Sequence, residues 1–275
     1  MLLPRVLTAL FAGAFVLGAI YMGGLPFFIV ILGISLVALR EFYALCRNTG
    51  YSTSEPVGLV SGALLTTSIF FNGVAWGSIT DNQGTAFLIA ILILALIVQG
   101  LFRGPSDLRI SEWSVTLFGV LLVSGSLAHL ILLRDLRPAG QAATFMLFAM
   151  IWAADTFAYF IGVRWGKHKL VAAISPKKSW EGLIAGLVGS AATAMIFRGL
   201  IFKSSMSWVE AILLGLVIGV LALISDLAES VIKRGANAKD SGQLLPGHGG
   251  LLDRFDSFLL TAPFYYYYWA FFKHG

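Results

Sequence analysis

The sequence predicts an all-α polytopic membrane protein with about nine transmembrane helices and a polar site on the cytoplasmic side. Composition is the first observation behind this class. Only 12% of the 275 residues are charged and 58% are hydrophobic, whereas a soluble domain is typically about a quarter charged. The second observation is a succession of apolar runs, each close to the ~20 residues that a helix needs to cross a bilayer.

Nine apolar runs account for most of the chain. In order they cover residues 6–22, 26–45, 57–76, 85–102, 115–133, 142–163, 180–201, 209–227 and 251–272. The segment 23–26 between the first two is short enough to be a kink. The first run lacks a suitably placed small-residue cleavage site, so we predict a membrane helix and no signal peptide. The single cysteine, Cys46, excludes an intrachain disulfide.

Basic residues are unevenly distributed between the runs. One predicted side of the membrane collects 14 of the 19 Lys and Arg residues, which predicts a cytoplasmic N-terminus and an external C-terminus. Nine of the 14 lie in loops 164–178 and 233–254, so the orientation depends on the candidate site. We divide the chain into five N-terminal helices at 1–140, a scaffold with possible oligomer contacts, and a catalytic membrane region at 141–275. The latter holds four helices and the polar loops 164–181 and 230–256.

Two pairs of acidic residues flank the polar segment 230–256. Asp226 and Glu229 are three residues apart at the end of the eighth helix, and Asp253 and Asp256 are three apart in the predicted first turn of the ninth. Carboxylate oxygens suit Mg²⁺, which also takes phosphate and water ligands. The alternative is structural: Asp253 complements a helix N-terminus, and Glu229 pairs with Lys233.

The loop between these pairs is rich in glycine and in charge. Gly249 and Gly250 allow close backbone approach to an anion, and the next helix offers free N–H groups. Lys239, His248 and Arg254 add positive charge or donors. This pattern predicts a phosphate-binding loop.

A second basic loop precedes the seventh helix. It contains Ser175, Lys177, Lys178 and Ser179; Ser179 is placed to cap that helix, and the lysines also suit a cytoplasmic anchor. Asp155 lies within the sixth helix, where a carboxylate is costly unless it is functional or paired. The two loops and Asp155 are therefore predicted to form one site.

The polar segment resembles the signature of the phosphatidate cytidylyltransferase (CDP-diacylglycerol synthase) family. The matching positions are Ser230-x-Ile232-Lys233-Arg234-x4-Lys239-Asp240-x-Gly242-x2-Leu245-Pro246-x-His248-Gly249-Gly250-Leu251-x-Asp253-Arg254-Phe255-Asp256. Asp155-Thr156-x-Ala158-Tyr159 and the loop around Lys177 are also similar to the family, with Ser179 where threonine is expected. The resemblance covers the sixth to ninth helices; the first five match only in general character.

The resemblance implies an integral membrane enzyme of phospholipid biosynthesis that condenses CTP with phosphatidate, yielding CDP-diacylglycerol and pyrophosphate. It also implies dependence on Mg²⁺, with room for a second, monovalent cation, and a homodimer. Phosphatidate carries its own nucleophile, an ionised phosphate oxygen. Metal ions and cations that bring two polyanions together would therefore suffice for the chemistry.

The resemblance and the charges together predict roles for the site residues. The metal ligands are predicted to be Asp226, Glu229, Asp253 and Asp256. The catalytic residues are predicted to be Lys239, Asp240, His248, Arg254 and Asp155. Substrate binding is assigned to Ser175, Lys177, Lys178, Ser179, Lys233, Arg234, Gly249 and Gly250.

Other functions remain open at this level. A polyprenol kinase also uses CTP, and a membrane transporter would also carry intramembrane acids and glycine-interrupted helices. A CDP-alcohol phosphatidyltransferase is disfavoured because its expected pattern of Asp, Gly and Arg residues is missing. The dense loop of both charge signs favours an enzyme over a transporter.

Overall fold

The computed structural model describes residues 3–76, 83–244 and 249–273. The first part of the chain forms α1 (Leu3–Met22), α2 (Gly24–Asn48), α3 (Glu55–Trp76), α4 (Gln83–Arg103), α5 (Arg109–Gly119), a π-helical segment (Val120–Gly125) and α6 (Ser126–Asp135). The second part forms α7 (Gly140–Trp165), β1 (Lys169–Val171), β2 (Ser175–Ser179), α8 (Trp180–Leu200), α9 (Trp208–Gly235), α10 (Leu252–Phe255) and α11 (Phe258–Phe272).

The helices group into two compact units. The first unit comprises Met1–Asp135 and Ile232–Phe255, and the second comprises Leu136–Val231 and Asp256–Gly275. One change of unit therefore lies close to the predicted boundary at residue 140. Residues 232–255, however, group with the N-terminal helices. The division into a scaffold and a catalytic region stays a prediction.

Among the described residues, five helical segments are long and apolar enough to cross a membrane. These are Gly24–Asn48, Arg109–Asp135, Gly140–Trp165, Trp180–Leu200 and Trp208–Gly235, and shorter apolar helices cover Phe11–Met22, Glu55–Phe71 and Leu88–Arg103. The predicted class, a helical polytopic membrane protein, is confirmed. The number of nine spans stays a prediction.

Polar contacts hold the first unit together across its apolar interior. The fully buried Tyr43 of α2 donates a hydrogen bond to the Thr116 carbonyl of α5 at 2.8 Å, and the Ser35 and Ser124 hydroxyls bond at 2.9 Å. Hydrogen bonds of this kind connect helices that the hydrophobic effect alone does not drive together in lipid. They join α2 to the helical segment that contains α5 and the π-helical turn.

The polar loop 164–181 contains a small antiparallel sheet that the sequence pattern did not predict. Lys169 of β1 pairs with Ser179 of β2, and Val171 pairs with Ser175. Ser179 ends β2 and its hydroxyl accepts a hydrogen bond from the Gly182 amide at 3.2 Å, so it caps α8 as predicted. The hairpin therefore fixes the lysines of β2 immediately before a membrane helix.

The last apolar run is interrupted, whereas the sequence predicts one helix from residue 251 to residue 272. The short α10 ends at Phe255, and α11 begins at Phe258. The Ser225 hydroxyl of α9 donates to the Asp256 carbonyl and accepts from the Leu260 amide at 3.3 Å. A side chain that satisfies backbone groups competes with a continuous helix, which explains the break. Asp253 therefore lies in α10 and Asp256 in the turn that follows.

Glycines allow close helix packing in the second unit, as their four-residue spacing predicts. A Cβ atom on Gly182 or Gly186 of α8 would lie 2.9 Å from a backbone carbonyl of α7, and one on Gly215 of α9 would lie 2.5 Å from the Ala191 Cα of α8. Backbone atoms cannot move aside as a flexible side chain can. These positions therefore exclude a side chain.

We expect Gly215→Ala to lower the free energy of unfolding by about 1–3 kcal/mol, because the new methyl group must push α9 away from α8. Thermal unfolding of the purified protein in detergent measures the change. Gly33→Ala in α2 is the matched control, since a Cβ there meets no atom of the chain within 4 Å. Equal midpoints for the two variants would contradict the close packing.

Candidate active site

Three carboxylates converge in the second unit. Asp226 and Glu229 lie three residues apart on α9, and Asp256 occupies the turn between α10 and α11. Each offers an oxygen atom, and the three atoms lie within 4.8 Å of one another. We call these residues the acid cluster. The structure thus brings together one predicted acidic pair and one member of the other.

Two members of the acid cluster are shielded from solvent, and the third, Asp226, has a side chain that is 30% exposed. Glu229 is 3% exposed with both carboxylate oxygens buried, and Asp256 is 9% exposed. Asp256 lies outside the five candidate spans. Burial, together with the negative charges of Asp226, Glu229 and Asp155, raises the pKa of the Asp256 carboxyl well above its usual value. Buried like charges at this distance favour the binding of a cation.

Lys178 brings positive charge to the acid cluster. Its Nζ atom, carried by β2, lies 2.7 Å from Oδ2 of Asp226, and the Lys178 side chain is only 22% exposed. Ser230 donates a hydrogen bond to the other Asp226 oxygen at 3.3 Å. The second basic loop therefore contributes directly to the surroundings of Asp226.

The chemistry of the donor set decides which metal fits. All three groups offer carboxylate oxygens, the hard ligands that Mg²⁺ prefers, and a few such ligands leave coordination positions for phosphate and water. These three residues offer neither a thiolate nor an imidazole, the ligands that Zn²⁺ sites commonly use. The residues present fit Mg²⁺.

The other predicted residues of the second unit have different environments. Asp155 lies on α7, and its side chain is exposed. Its negative charge nevertheless contributes to the raised pKa of Asp256. Lys177 is exposed on β2, and Ser175 is partly buried at the start of that strand. Their roles in substrate binding stay predictions.

Asp253 organises a second polar group, which lies in the first unit. Its Oδ1 atom lies 2.6 Å from Nζ of Lys233. Its Oδ2 atom accepts hydrogen bonds from the Ser241 amide at 2.8 Å, the Ser241 hydroxyl at 2.9 Å and the Gly250 amide at 2.8 Å. Burial opposes ionisation of this carboxyl, but the hydrogen bonds from Lys233 and the two amides outweigh it and keep the pKa below its usual value.

The two members of the predicted Asp253–Asp256 pair have different partners. Asp256 belongs to the acid cluster, whereas both Asp253 oxygens receive protein donors in the first unit. Lys233 is a cation that Asp253 contacts. The alternative prediction of a Glu229–Lys233 pair stays a prediction.

Glu41 is a residue of this polar group that the sequence analysis did not select. It lies on α2 and is 8% exposed, and its carboxylate accepts hydrogen bonds from the Leu251 amide at 3.0 Å and the Leu252 amide at 2.8 Å. The Ser241 hydroxyl is 3.1 Å away. A signal was available, because an acidic residue inside the apolar run 26–45 is a candidate functional or paired group.

The remaining predicted residues of the first unit lie along the polar segment. Lys239, Asp240 and Arg254 are exposed, and the Arg234 guanidinium donates to the Ala238 carbonyl at 3.2 Å. Gly249 has a φ of 80°, the left-handed conformation that favours glycine. His248 lies outside the described residues.

Comparison with known proteins agrees with the signature in the polar segment. A sequence profile of the cytidylyltransferase family matches residues 3–272. The chain is 33% identical to the phosphatidate cytidylyltransferase of Synechocystis sp. over 96% of its own length and 95% of the relative's. It is 31% identical to the phosphatidate cytidylyltransferase of Bacillus subtilis over 98% of both chains. It is 32% identical to the chloroplastic phosphatidate cytidylyltransferase 5 of Arabidopsis thaliana, over 95% of this chain and 70% of the relative. The predicted resemblance is confirmed, and the chain belongs to the cytidylyltransferase family.

Proposed function

We propose that the protein transfers a cytidylyl group from CTP to phosphatidate, forming CDP-diacylglycerol and pyrophosphate. The observation that carries the proposal is the buried acid cluster with Lys178 beside Asp226, in a membrane protein of this family. A transporter would also explain buried acids within a membrane. The family supports nucleotide chemistry, and the relatives named above support phosphatidate as the acceptor.

The reaction exchanges one phosphoanhydride bond for another. An oxygen of the phosphatidate phosphate attacks the α-phosphorus of CTP, and the bond from that phosphorus to the bridging oxygen of the β-phosphate breaks. Pyrophosphate leaves with the bonding electrons. No protein nucleophile is required, so the task of the residues is to hold two polyanions together and to offset the charge on the leaving group.

We assign the metal site to Asp226, Glu229 and Asp256. Mg²⁺ bound there would neutralise charge on the phosphate oxygens. The Lys178 ammonium supplies a further positive charge beside Asp226, which would be available to a phosphate group if a bound metal ion neutralised Asp226. The hydrogen bonds of Asp253 favour an organising role for that residue over the ligand role that the sequence suggests.

The exposed polar residues are assigned to the substrates. Lys177, Lys239 and Arg254 are exposed cations suited to phosphate groups, and Gly249 offers a backbone without a side chain. His248, Arg234 and Ser175 complete the substrate set on the evidence of the signature. Asp155 and Asp240 would orient the cations.

Location and assembly belong to the same proposal. The excess of basic residues in loops 164–178 and 233–254 supports an active site that faces the cytoplasm. For a bacterial chain, we propose the cytoplasmic membrane as its location. We also propose a homodimer and a possible second, monovalent cation, both on the family resemblance.

A labelling experiment tests the proposed function and separates it from its rivals. Purified protein is incubated with phosphatidate, Mg²⁺ and CTP labelled either on the α-phosphate or on the γ-phosphate. We expect the α-label in CDP-diacylglycerol and the γ-label in pyrophosphate. A lipid kinase assayed with its polyprenol acceptor would instead place the γ-label in lipid, and a transporter would leave CTP intact. Either result would overturn the proposal.

A further inference from the structure

Glu41 joins a membrane helix to both ends of the glycine-rich loop. We call residues 241–244 and 249–252, the described parts of this loop, the signature loop. Ser241 lies at its start, and Leu251 and Leu252 lie at its end. The two leucine amides donate hydrogen bonds to the Glu41 carboxylate at 3.0 and 2.8 Å, and the Ser241 hydroxyl, whose single proton is within reach of both Glu41 and Asp253, lies 3.1 Å from Glu41. One side chain of α2 therefore contacts the two ends of a loop that begins 200 residues later in the chain.

Burial makes these contacts energetically important. Removing an ionised carboxylate from water costs several kcal/mol unless hydrogen bonds replace its hydration. Glu41 is 8% exposed, and the hydrogen-bond donors named above all belong to the signature loop. If the loop moved away, the carboxylate would lose them. The cost of leaving Glu41 unsatisfied therefore holds the loop against α2.

Two glycines allow the loop to approach Glu41 closely. A Cβ atom on Gly242 would lie 2.8 Å from Cδ of Glu41, and one on Gly250 would lie 2.7 Å from the same atom. Both distances are below any ordinary contact of a side chain. These glycines therefore serve the contact with Glu41 in addition to any contact with an anion.

The same contacts connect Glu41 to Asp253. The Ser241 hydroxyl lies 3.1 Å from a Glu41 oxygen and 2.9 Å from Oδ2 of Asp253, and it accepts a bond from the Asp253 amide at 3.3 Å. Asp253 in turn contacts Lys233. Glu41, Ser241, Asp253 and Lys233 form one continuous buried network within the first unit.

We propose that Glu41 is a positioning residue for the cytidylyltransferase reaction: it holds the described residues of the signature loop against α2, so that Gly249 and the neighbouring Arg254 are placed to bind the phosphates of CTP. The inference rests on the proposed function, because it assigns the loop to that substrate. It gives a positioning role to an N-terminal helix that was predicted to belong to a scaffold with possible oligomer contacts. Glu41 itself touches the loop and need not touch the substrate.

The test compares two buried glutamates of the same unit. Glu112 of α5 is 4% exposed and accepts hydrogen bonds from Arg103 at 2.8 Å, Arg109 at 2.6 Å and Ser54 at 2.6 Å. Its donors lie outside the signature loop. Glu112→Gln therefore measures what the loss of a buried carboxylate does to stability alone.

We expect Glu41→Gln to raise the KM for CTP about 10- to 100-fold. The reason is that displacing the loop by about 1 Å would weaken its contacts with the CTP phosphates by about that factor. Backbone hydrogen exchange in the signature loop should accelerate in the same variant. Glu112→Gln should lower the thermal midpoint and leave both the KM of the folded protein and exchange in the loop unchanged. Glu41→Asp, which keeps the charge, should recover part of the KM and provides a second variant if Glu41→Gln does not fold.

Equal KM values for CTP in the parental protein and the folded Glu41 variants, with unchanged exchange in the loop, would overturn the inference. Failure of the proposed function has a different signature: the parental protein itself would make no CDP-diacylglycerol. Hydrogen exchange in the loop still reports on the Glu41 contact in that case. The two failures are therefore distinguishable.

Discussion

Asp256→Asn is expected to reduce the rate of CDP-diacylglycerol formation about a thousandfold or more, because it removes one of three proposed metal ligands while charge develops on the leaving group. The substitution keeps the shape of the side chain and an oxygen that can accept from the Ser257 amide, which lies 2.5 Å from Oδ1. The initial rate with α-labelled CTP, measured over a range of Mg²⁺ concentrations, gives the effect.

The thermal stability of the Asp256→Asn variant distinguishes a metal-binding role of Asp256 from a structural one. Burial and three neighbouring acids disfavour the charged form of Asp256, so a neutral amide at this position relieves repulsion in the metal-free protein. We therefore expect the thermal midpoint of Asp256→Asn, measured without divalent ions, to equal or exceed that of the parental protein. Stabilisation by added Mg²⁺ should weaken or disappear in the variant.

Glu210 provides a control within the same unit. It lies in the first turn of α9, where it contacts Tyr268 at 2.6 Å and Lys273 at 2.6 Å. Glu210→Gln also removes one negative charge from the second unit and should retain the parental rate. A parental rate in a folded Asp256→Asn variant would eliminate the proposed metal role of Asp256.

Lys233→Met is expected to lower the free energy of unfolding by about 3–5 kcal/mol, because it leaves the Asp253 carboxylate buried without its cation. The two side chains are only 11% and 7% exposed, and their charged atoms lie 2.6 Å apart. Unfolding in detergent, followed by denaturant or temperature, measures the loss.

A double variant and an exposed ion pair complete this experiment. Lys233→Met combined with Asp253→Asn should recover part of the loss, since neither charge is then left alone. Arg40 is 74% exposed and pairs with Glu55 at 3.5 Å, so Arg40→Met should cost at most about 1 kcal/mol. A Lys233→Met variant as stable as Arg40→Met would show that the buried pair contributes little.

Local patterns were sufficient for part of the site. Asp226 and Glu229 were predicted to share a helix face, and they do so in the acid cluster, because helical periodicity relates residues three apart. Ser179 was predicted as a helix cap from its position before an apolar run, and its hydroxyl accepts the Gly182 amide. Both interactions join residues that are close in the chain.

The same periodicity failed for Asp253 and Asp256. A continuous ninth helix would have kept the two carboxylates together, but Ser225 of α9 satisfies backbone groups at the turn and interrupts the helix. Asp256 then contributes to the acid cluster, and Asp253 contacts Lys233 and Ser241. The interruption depends on a hydrogen bond between residues 31 positions apart, which spacing within the polar segment does not reveal.

Hydropathy and the signature in the polar segment are properties of the amino-acid order. They were sufficient to predict the membrane class, the approximate positions of the helices, the family and the chemical character of the loops. The choice of partner for each charge is different. Lys178 of β2 contacts Asp226 of α9, and Glu41 of α2 contacts the signature loop. Charges of opposite sign attract one another at any chain separation, so sequence proximity cannot select among them; the packing of the helices brings particular pairs within hydrogen-bonding distance.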